Sequence, residues 1–142
     1  MKENTKRFLA IDYGKVRVGI AISDPTGLLA RGLETIQRQG QDSLVIERIQ
    51  ELIDEYSISR IILGMPYRSD GKPGDKELEV KRFSKELQAK TGLRPIYQDE
   101  RYSTVQAHEI MRKSKIKEKN RRDVVDQIAA EIILQDYLDG RR

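Results

Sequence analysis

The sequence predicts one α/β domain built on a five-stranded mixed sheet with helices packed against it. Three short apolar runs, joined by tight turns, open the chain between Phe8 and Ile36, and strands joined in this way pair antiparallel. Two further apolar runs each follow a segment with helical periodicity, which is the βαβ pattern of a parallel sheet. A length of 142 residues suits one domain with its own core, so we treat 1–142 as a single domain.

The opening hairpin places an acid where a core residue is expected. The run from Phe8 to Ile11 is apolar throughout, as in a strand buried on both faces, and Asp12 follows it directly. A turn at 13–15 leads into a second strand, in which large apolar residues alternate with small ones. Because an ionised carboxylate inside a sheet is costly without a partner, Asp12 is either a turn cap that accepts backbone N–H groups or a functional acid.

The next elements follow in chain order, each with its own sequence signal. They are a third strand from Leu28 to Ile36, a helix capped by Asp42 or Ser43, a strand from Arg60 to Gly64, a loop rich in Gly and Pro from Met65 to Gly74, a helix from about Asp75 to Thr91 that ends at Gly92, and a fifth strand from Pro95 to Asp99. Sheets of this kind place their sites at the carboxyl ends of parallel strands. The loops at 64–74 and 99–103 fall there.

Glu100 lies between the fifth strand and a helix that the capping-box spacing of Ser103 and Gln106 predicts. Its plain interpretation is that it complements the helix dipole or pairs with Arg101. The segment from Lys113 to Arg122 is rich in basic residues and has no apolar periodicity. It predicts a mobile basic loop, with an ordinary solvated linker as the plain alternative.

The last helix is predicted from about Arg121 to Leu138, with Asn120 as its cap. Asp126 belongs to a helical column whose later members are all apolar: Ala129, Ala130, Ile133 and Tyr137. A solvent-facing Asp would instead lie in the column of Gln127, Glu131 and Gln135. We therefore expect Asp126 to face the sheet.

Three acids, Asp12, Glu100 and Asp126, are thus expected at the sheet or facing it. If they converge, their mutual repulsion requires a compensating cation. Oxygen ligands without cysteine or a histidine cluster favour Mg²⁺ or Mn²⁺ over zinc, and the single histidine, His108, is expected to be a surface or packing residue. Two such cations, about 3.5–4 Å apart, stabilise the attacking and leaving oxygens of a phosphodiester. Acids beside a basic loop are the electrostatic pattern of a nuclease.

The composition limits the class of partner and the cellular compartment that we expect. The formal net charge of +4 favours an anionic partner without naming it. The absence of cysteine excludes disulfides and thiolate metal sites, and it suits a reducing compartment, so we expect a cytoplasmic protein. The charged start of the chain does not resemble a signal peptide, and no apolar run is long enough to span a membrane.

Four motifs, in order along nearly the whole chain, resemble the YqgF/RuvX family, small relatives of the RuvC resolvases with a ribonuclease H-like fold. They are Ile11-Asp12-Tyr13-Gly14 continuing through Arg17-Val18-Gly19-Ile20-Ala21 to Ser23-Asp24, Leu63-Gly64-Met65-Pro66, Asp99-Glu100-Arg101-Tyr102-Ser103-Thr104, and Asp126 with Ala129-Ala130 and Ile133-Leu134. Tyr102 stands where many relatives have Leu. The resemblance implies a nuclease that uses Mg²⁺ or Mn²⁺, with Asp12, Glu100 and Asp126 as catalytic and metal-binding acids. It also implies maturation of the 5′ end of pre-16S ribosomal RNA or, alternatively, resolution of branched DNA.

The expected partner is nucleic acid, with RNA favoured over branched DNA. The candidate contacts are basic residues in the turns, the loops and the basic segment: Lys15, Arg17, Arg68, Arg101, Lys113, Lys115, Lys117, Lys119, Arg121 and Arg122. A junction resolvase needs two active sites across a two-fold axis. Because the predicted apolar faces are largely used against the sheet, we expect a monomer or a weak dimer.

Two other function classes share parts of the pattern. Asp-x-Gly at a first hairpin also holds nucleotide phosphates in sugar kinases and actin-like ATPases, but those proteins need two such domains and this chain has no second Asp-x-Gly hairpin. A non-catalytic RNA-binding module would retain three acids that repel nucleic acid. A metal titration separates that module from an enzyme, because a binding module should not need Mg²⁺.

Overall fold

The computed structural model describes residues 7–100, 109–110 and 118–141, and within these ranges five strands form one sheet. The strands are β1 (Arg7–Tyr13), β2 (Arg17–Ser23), β3 (Ala30–Gln37), β4 (Ile58–Met65) and β5 (Ile96–Asp99). The helices are α1 (Asp42–Tyr56), α2 (Asp75–Thr91) and α3 (Glu118–Gly140). None of the described helices is both long and apolar enough to cross a membrane.

The sheet is mixed, as the sequence predicts. Its order is β3-β2-β1-β4-β5. The first three strands pair antiparallel, whereas β4 runs parallel to β1 and β5 runs parallel to β4. Short turns produce the antiparallel part, and the crossovers through α1 and α2 produce the parallel part.

The two faces of the sheet carry different layers. Alternate residues of β1, such as Leu9 and Ile11, pack in a core with α1 and α2. The residues between them, Phe8 and Ala10, pack against α3. Side chains alternate along a strand, so Asp12 continues the second series and lies on the face that α3 covers.

The helix that follows β3 begins where predicted but is capped differently. The residue before α1 is Gln41, and no side chain caps the helix, so the expected cap by Asp42 or Ser43 is wrong. Asp42 is helical, and its carboxylate accepts a hydrogen bond of 2.7 Å from the Tyr13 hydroxyl. The Asp42 carboxylate therefore bonds to Tyr13, which is distant in sequence, instead of capping the backbone N–H groups of its own helix. By contrast, α2 has the predicted bounds and ends at Gly92 in the left-handed conformation.

The last helix begins earlier than predicted and overlaps the predicted basic loop. Residues 118–122, assigned to a loop, belong to α3, and Asn120 lies inside that helix rather than at its cap. Glu, Lys and Arg have high helix propensity, so a missing apolar period does not stop a helix from extending through them. Lys113, the capping box at 103–106 and His108 lie outside the described residues, although Glu109 and Ile110 are helical.

One polar column of α3 faces the edge strand β3 rather than solvent. Oxygens of Gln135 and Glu131 accept hydrogen bonds from the backbone N–H groups of Ala30 and Gly32, at 2.8 and 3.1 Å. Gln127 donates to the Thr35 hydroxyl at 3.2 Å. The column Gln127, Glu131 and Gln135, taken from periodicity as solvent-facing, therefore supplies partners to an otherwise open sheet edge.

Candidate active site

The carboxyl ends of β1 and β5 bring Asp12 and Glu100 together across β4. The N–H of Glu100 donates to the Met65 carbonyl at 3.2 Å, which fixes the chain as it leaves β5. A Cβ built on Gly64 would lie 2.9 Å from Oε2 of Glu100. The missing side chain at Gly64 therefore leaves the space in which the Glu100 carboxyl reaches over β4, where it hydrogen-bonds to Asp12.

The Asp12–Glu100 pair is perturbed by burial and by mutual repulsion. Burial raises the pKa of Asp12, and the charge of Asp126 raises it further. Burial and the charge of Asp12 likewise raise the pKa of Glu100. A hydrogen bond joins the two carboxyls, and it requires one of them to be protonated. Without a cation the two carboxyls therefore share one proton at neutral pH.

Asp126 reaches the same place because α3 lies directly on β2. Gly19 pairs with Asp12 in the sheet, so both positions point to the face that α3 covers. A Cβ on Gly19 would collide with the Asp126 carbonyl oxygen and lie 3.1 Å from the Asp126 Cβ. The expectation that Asp126 faces the sheet is confirmed, and the buried Ala130 packs in the same core cluster as Ala21 of β2.

The carboxylate of Asp126 is held by an arginine. Its Oδ2 accepts a hydrogen bond of 2.7 Å from Nε of Arg17, a residue that the sequence assigned to nucleic acid. No three Asp, Glu or His side chains of the described ranges are arranged to hold one metal ion. The structure thus joins Asp12 to Glu100 and places Asp126 beside them, paired with Arg17.

Sequence reasoning missed Lys76. It lies in the first turn of α2, after the loop at the carboxyl end of β4, and it is exposed. Its positive charge lowers the pKa of both Asp12 and Glu100, against the larger effect of burial. A lysine in a highly charged helix has no distinguishing sequence pattern. Only the position of Lys76, just after the loop at the carboxyl end of β4, could have indicated that it lies near the acids.

The turn between β1 and β2 is held by a second arginine. Arg38 donates through Nη1 to the carbonyls of Gly14 and Lys15, at 3.1 and 3.0 Å, and its guanidinium lies 4.4 Å from the centre of the Tyr13 ring. Asp42 pairs with Arg38 at 3.1 Å and accepts from the Tyr13 hydroxyl. Burial and the bond to Asp42 raise the pKa of Tyr13, so the hydroxyl remains a donor. Arg38 and Asp42 thereby hold the turn beside Asp12 in place.

Of the remaining predicted nucleic-acid contacts, the structure describes the side chains of two. Lys15 is exposed at the hairpin turn, and Arg68 is exposed and paired with Asp70 at 2.6 Å. The others lie outside the described residues or in the first turns of α3, where only the backbone is described: Arg101, Lys113, Lys115 and Lys117 in the first group, and Lys119, Arg121 and Arg122 in the second.

A family model and several relatives match nearly the whole chain. A family described as "RuvX: Holliday junction resolvase" matches residues 6–140. A relative from Agathobacter rectalis is 41% identical over 135 residues, which cover 94% of each chain. One from Acetivibrio thermocellus is 43% identical over 136 residues, covering 95% of this chain and 96% of its own. One from Roseiflexus sp. is 39% identical over 142 residues, the full length of both. All three bear the name "Putative pre-16S rRNA nuclease".

Among solved structures, the fold is similar to that of T. thermophilus RuvC in complex with Holliday junction substrate. The TM-score is 0.57 at 12% identity, with 96% of this chain and 95% of that chain covered. A second Thermus thermophilus RuvC structure gives a TM-score of 0.56 at 10% identity, with 95% of each chain covered. The predicted ribonuclease H-like fold is confirmed by this likeness.

Proposed function

Because the chain belongs to the RuvX family, we propose that it is a divalent-metal-dependent nuclease that hydrolyses phosphodiester bonds. Asp12, Glu100 and Asp126 are its proposed catalytic and metal-binding acids. The observation that carries the proposal is the partly buried Asp12–Glu100 pair at the carboxyl edge of the sheet, with Asp126 acting on it electrostatically. A fold gains no stability from such repulsion, so a function is the better explanation.

The donor set fits Mg²⁺ or Mn²⁺. It consists of hard carboxylate oxygens, and the sequence has no cysteine. Asp12 and Glu100 would hold the ion, and Asp126 would join them by exchanging Arg17 for it. When bound, a divalent ion polarises a phosphoryl oxygen and lowers the pKa of a bound water.

The protein's own groups have separate tasks in this scheme. Asp12 and Glu100 would hold the ion as carboxylates, so the proton that they share would pass to solvent. Arg17, once released from Asp126, can pair with a substrate phosphate, to which its planar guanidinium is suited. Lys76 adds a positive charge at the same edge and offsets part of the charge of the acids and the phosphate.

We propose the 5′ end of pre-16S ribosomal RNA as the substrate, cut by a monomer or a weak dimer in the cytoplasm. The names of relatives that match over 94–100% of this chain support the RNA. End maturation also needs one cut and one active site. The description of the family supports the second candidate, four-way junction DNA, which needs two sites in symmetry.

The test uses purified protein, Mg²⁺ or Mn²⁺, and two labelled substrates, a pre-16S RNA and a four-way DNA junction. We expect metal-dependent cleavage of the RNA, loss of cleavage in Asp12→Asn, and normal cleavage in Asp54→Asn, a control on the exposed side of α1. Cleavage by Asp12→Asn at the wild-type rate would remove the acids from the mechanism. Paired symmetric nicks in the junction would favour a resolvase, and binding without any metal-dependent cleavage would favour a non-catalytic module.

A further inference from the structure

A cavity of about 530 Å³ lies between the second half of α2 and β5. Ser84, Lys85 and Gln88 line it from α2, Tyr97 lines it from β5, and Arg94 lines it from the residues just before β5. None of the three acids contributes to its walls. Tyr97 pairs in register with Leu63, whose side chain packs in the core with α1 and α2, so the cavity opens on the side of the sheet opposite α3.

The cavity offers an aromatic ring in a defined position. Tyr97 is 39% exposed, and its hydroxyl donates to Oγ of Ser84 at 3.2 Å. A ring anchored by its polar end keeps its orientation while part of its surface stays open to solvent. Such rings are the stacking platforms on which proteins hold unpaired bases.

Two basic side chains give the cavity positive charge. Lys85 and Arg94 line it, and neither forms an ion pair with any residue that the structure describes. The side-chain amide of Gln88 adds both a donor and an acceptor. An aromatic ring, two cations and an amide around one space match the base and phosphate of a nucleotide.

A second exposed tyrosine follows the end of β4, next to the point where the chain enters Glu100. Tyr67 is 37% exposed, and its N–H bonds to the Met65 carbonyl, the same group that accepts from the N–H of Glu100. Glu100 itself is three residues beyond Tyr97, or about 10 Å along an extended chain. A strand of a few nucleotides is therefore long enough to pass from Glu100 around the end of β5 to the cavity on the other face of the sheet.

We propose that this cavity binds an unpaired nucleotide of the nucleic-acid substrate, with its base on Tyr97 and its phosphate between Lys85 and Arg94. The inference rests on the proposed nuclease function and adds to it a requirement on the substrate. Bases inside a duplex are stacked on each other and cannot stack on a side chain. The substrate must therefore have a single-stranded segment next to the bond that is cut.

The test measures, by fluorescence anisotropy, the affinity of metal-free protein for a labelled single-stranded RNA. An RNA of about ten nucleotides is suitable, because domains that bind single strands cover about 4–16 nucleotides. We expect Tyr97→Ala to weaken binding by about 5-fold to 100-fold, as loss of one stacked base does, and Tyr97→Phe to bind within about two-fold of wild type. Lys85→Ala and Arg94→Ala should each weaken binding and flatten the salt dependence by about 0.7 in the log–log slope per lost phosphate contact. Arg31→Ala is the matched control, since β3 is the opposite edge of the sheet.

Each result decides the matter. Wild-type affinity in Tyr97→Ala would overturn the proposal, as would an equal loss in Arg31→Ala. Tyr97-dependent binding of uridine 5′-monophosphate, with unchanged binding of the RNA, would also overturn it and assign the cavity to a free nucleotide. If Tyr97→Ala does not fold, the two basic variants against Arg31→Ala carry the test. Cleavage of the RNA is measured separately with Mn²⁺. If the protein binds RNA through Tyr97 but does not cleave it, the nucleotide-binding cavity is supported and the proposed nuclease function is refuted.

Discussion

Replacing Glu100 by Gln should make the metal-free protein increasingly more stable than the wild type as the pH rises from 6 to 8. Burial and the charge of Asp12 raise the pKa of Glu100 from 4.5 to about 9 in the folded state. Between these values the folded protein holds a proton that the unfolded chain has released, so the free energy of unfolding falls as pH rises. The contribution is complete below the unfolded pKa and is lost as pH rises through the folded pKa. The slope is about 1.4 kcal/mol per pH unit, or about 3 kcal/mol between pH 6 and pH 8.

The assay is urea unfolding in EDTA at pH 6, 7 and 8, for wild type, Glu100→Gln and an exposed control on α2, Glu86→Gln. Groups that do not interact with Glu100 titrate alike in all three proteins and cancel in the differences. The Gln amide can still donate to Asp12, so the comparison isolates the proton of Glu100. We expect Glu100→Gln to gain about 3 kcal/mol on wild type over this pH range, and Glu86→Gln to follow wild type. Parallel curves for wild type and Glu100→Gln would show that Glu100 ionises without a cation, and the repulsion argument would fail.

The remaining predictions concern the approach of α3. Arg17→Gln removes the ion pair that Arg17 makes with the Asp126 carboxylate, so the metal-free protein should lose about 1–3 kcal/mol of stability while binding Mn²⁺ more tightly in calorimetry; weaker Mn²⁺ binding would contradict the exchange proposed for Asp126. Gly19→Ala forces α3 off β2 and should cost at least about 1–3 kcal/mol in thermal unfolding, whereas Gly140→Ala, with open space around it, is the control; equal stability of the two variants would contradict the close contact.

The sequence could predict the elements whose signal is local. The bounds of α2 follow from its apolar period and from Gly92, and the inward direction of Asp126 follows from the apolar column in which it lies. The partners of side chains were out of reach, because they depend on atoms far apart in the chain. Arg17 is 109 residues from Asp126, and nothing near it in sequence distinguishes an ion pair from a phosphate contact.

The start of α3 shows a different limit. Charged residues of high helix propensity suit a solvated helix as well as a loop, so composition alone does not separate the two. The small residues of the sheet show a third limit. In sequence, Gly19 is simply the small member of an alternating strand, whereas in the fold its missing side chain admits the backbone of Asp126.

The geometry of the acids is therefore set by packing rather than by the acids themselves. Gly19 places Asp126 against β2 opposite Asp12, and Gly64 leaves the space for Glu100. A Cβ on Gly64 would also lie 2.7 Å from Cδ1 of Ile133, so α3 lies close to the space that Glu100 occupies. A shift of α3 along the sheet would thus move Asp126 and also press on Glu100. Because the core under α3 is close-packed, its apolar side chains hold the spacing of the three acids even though they touch no substrate.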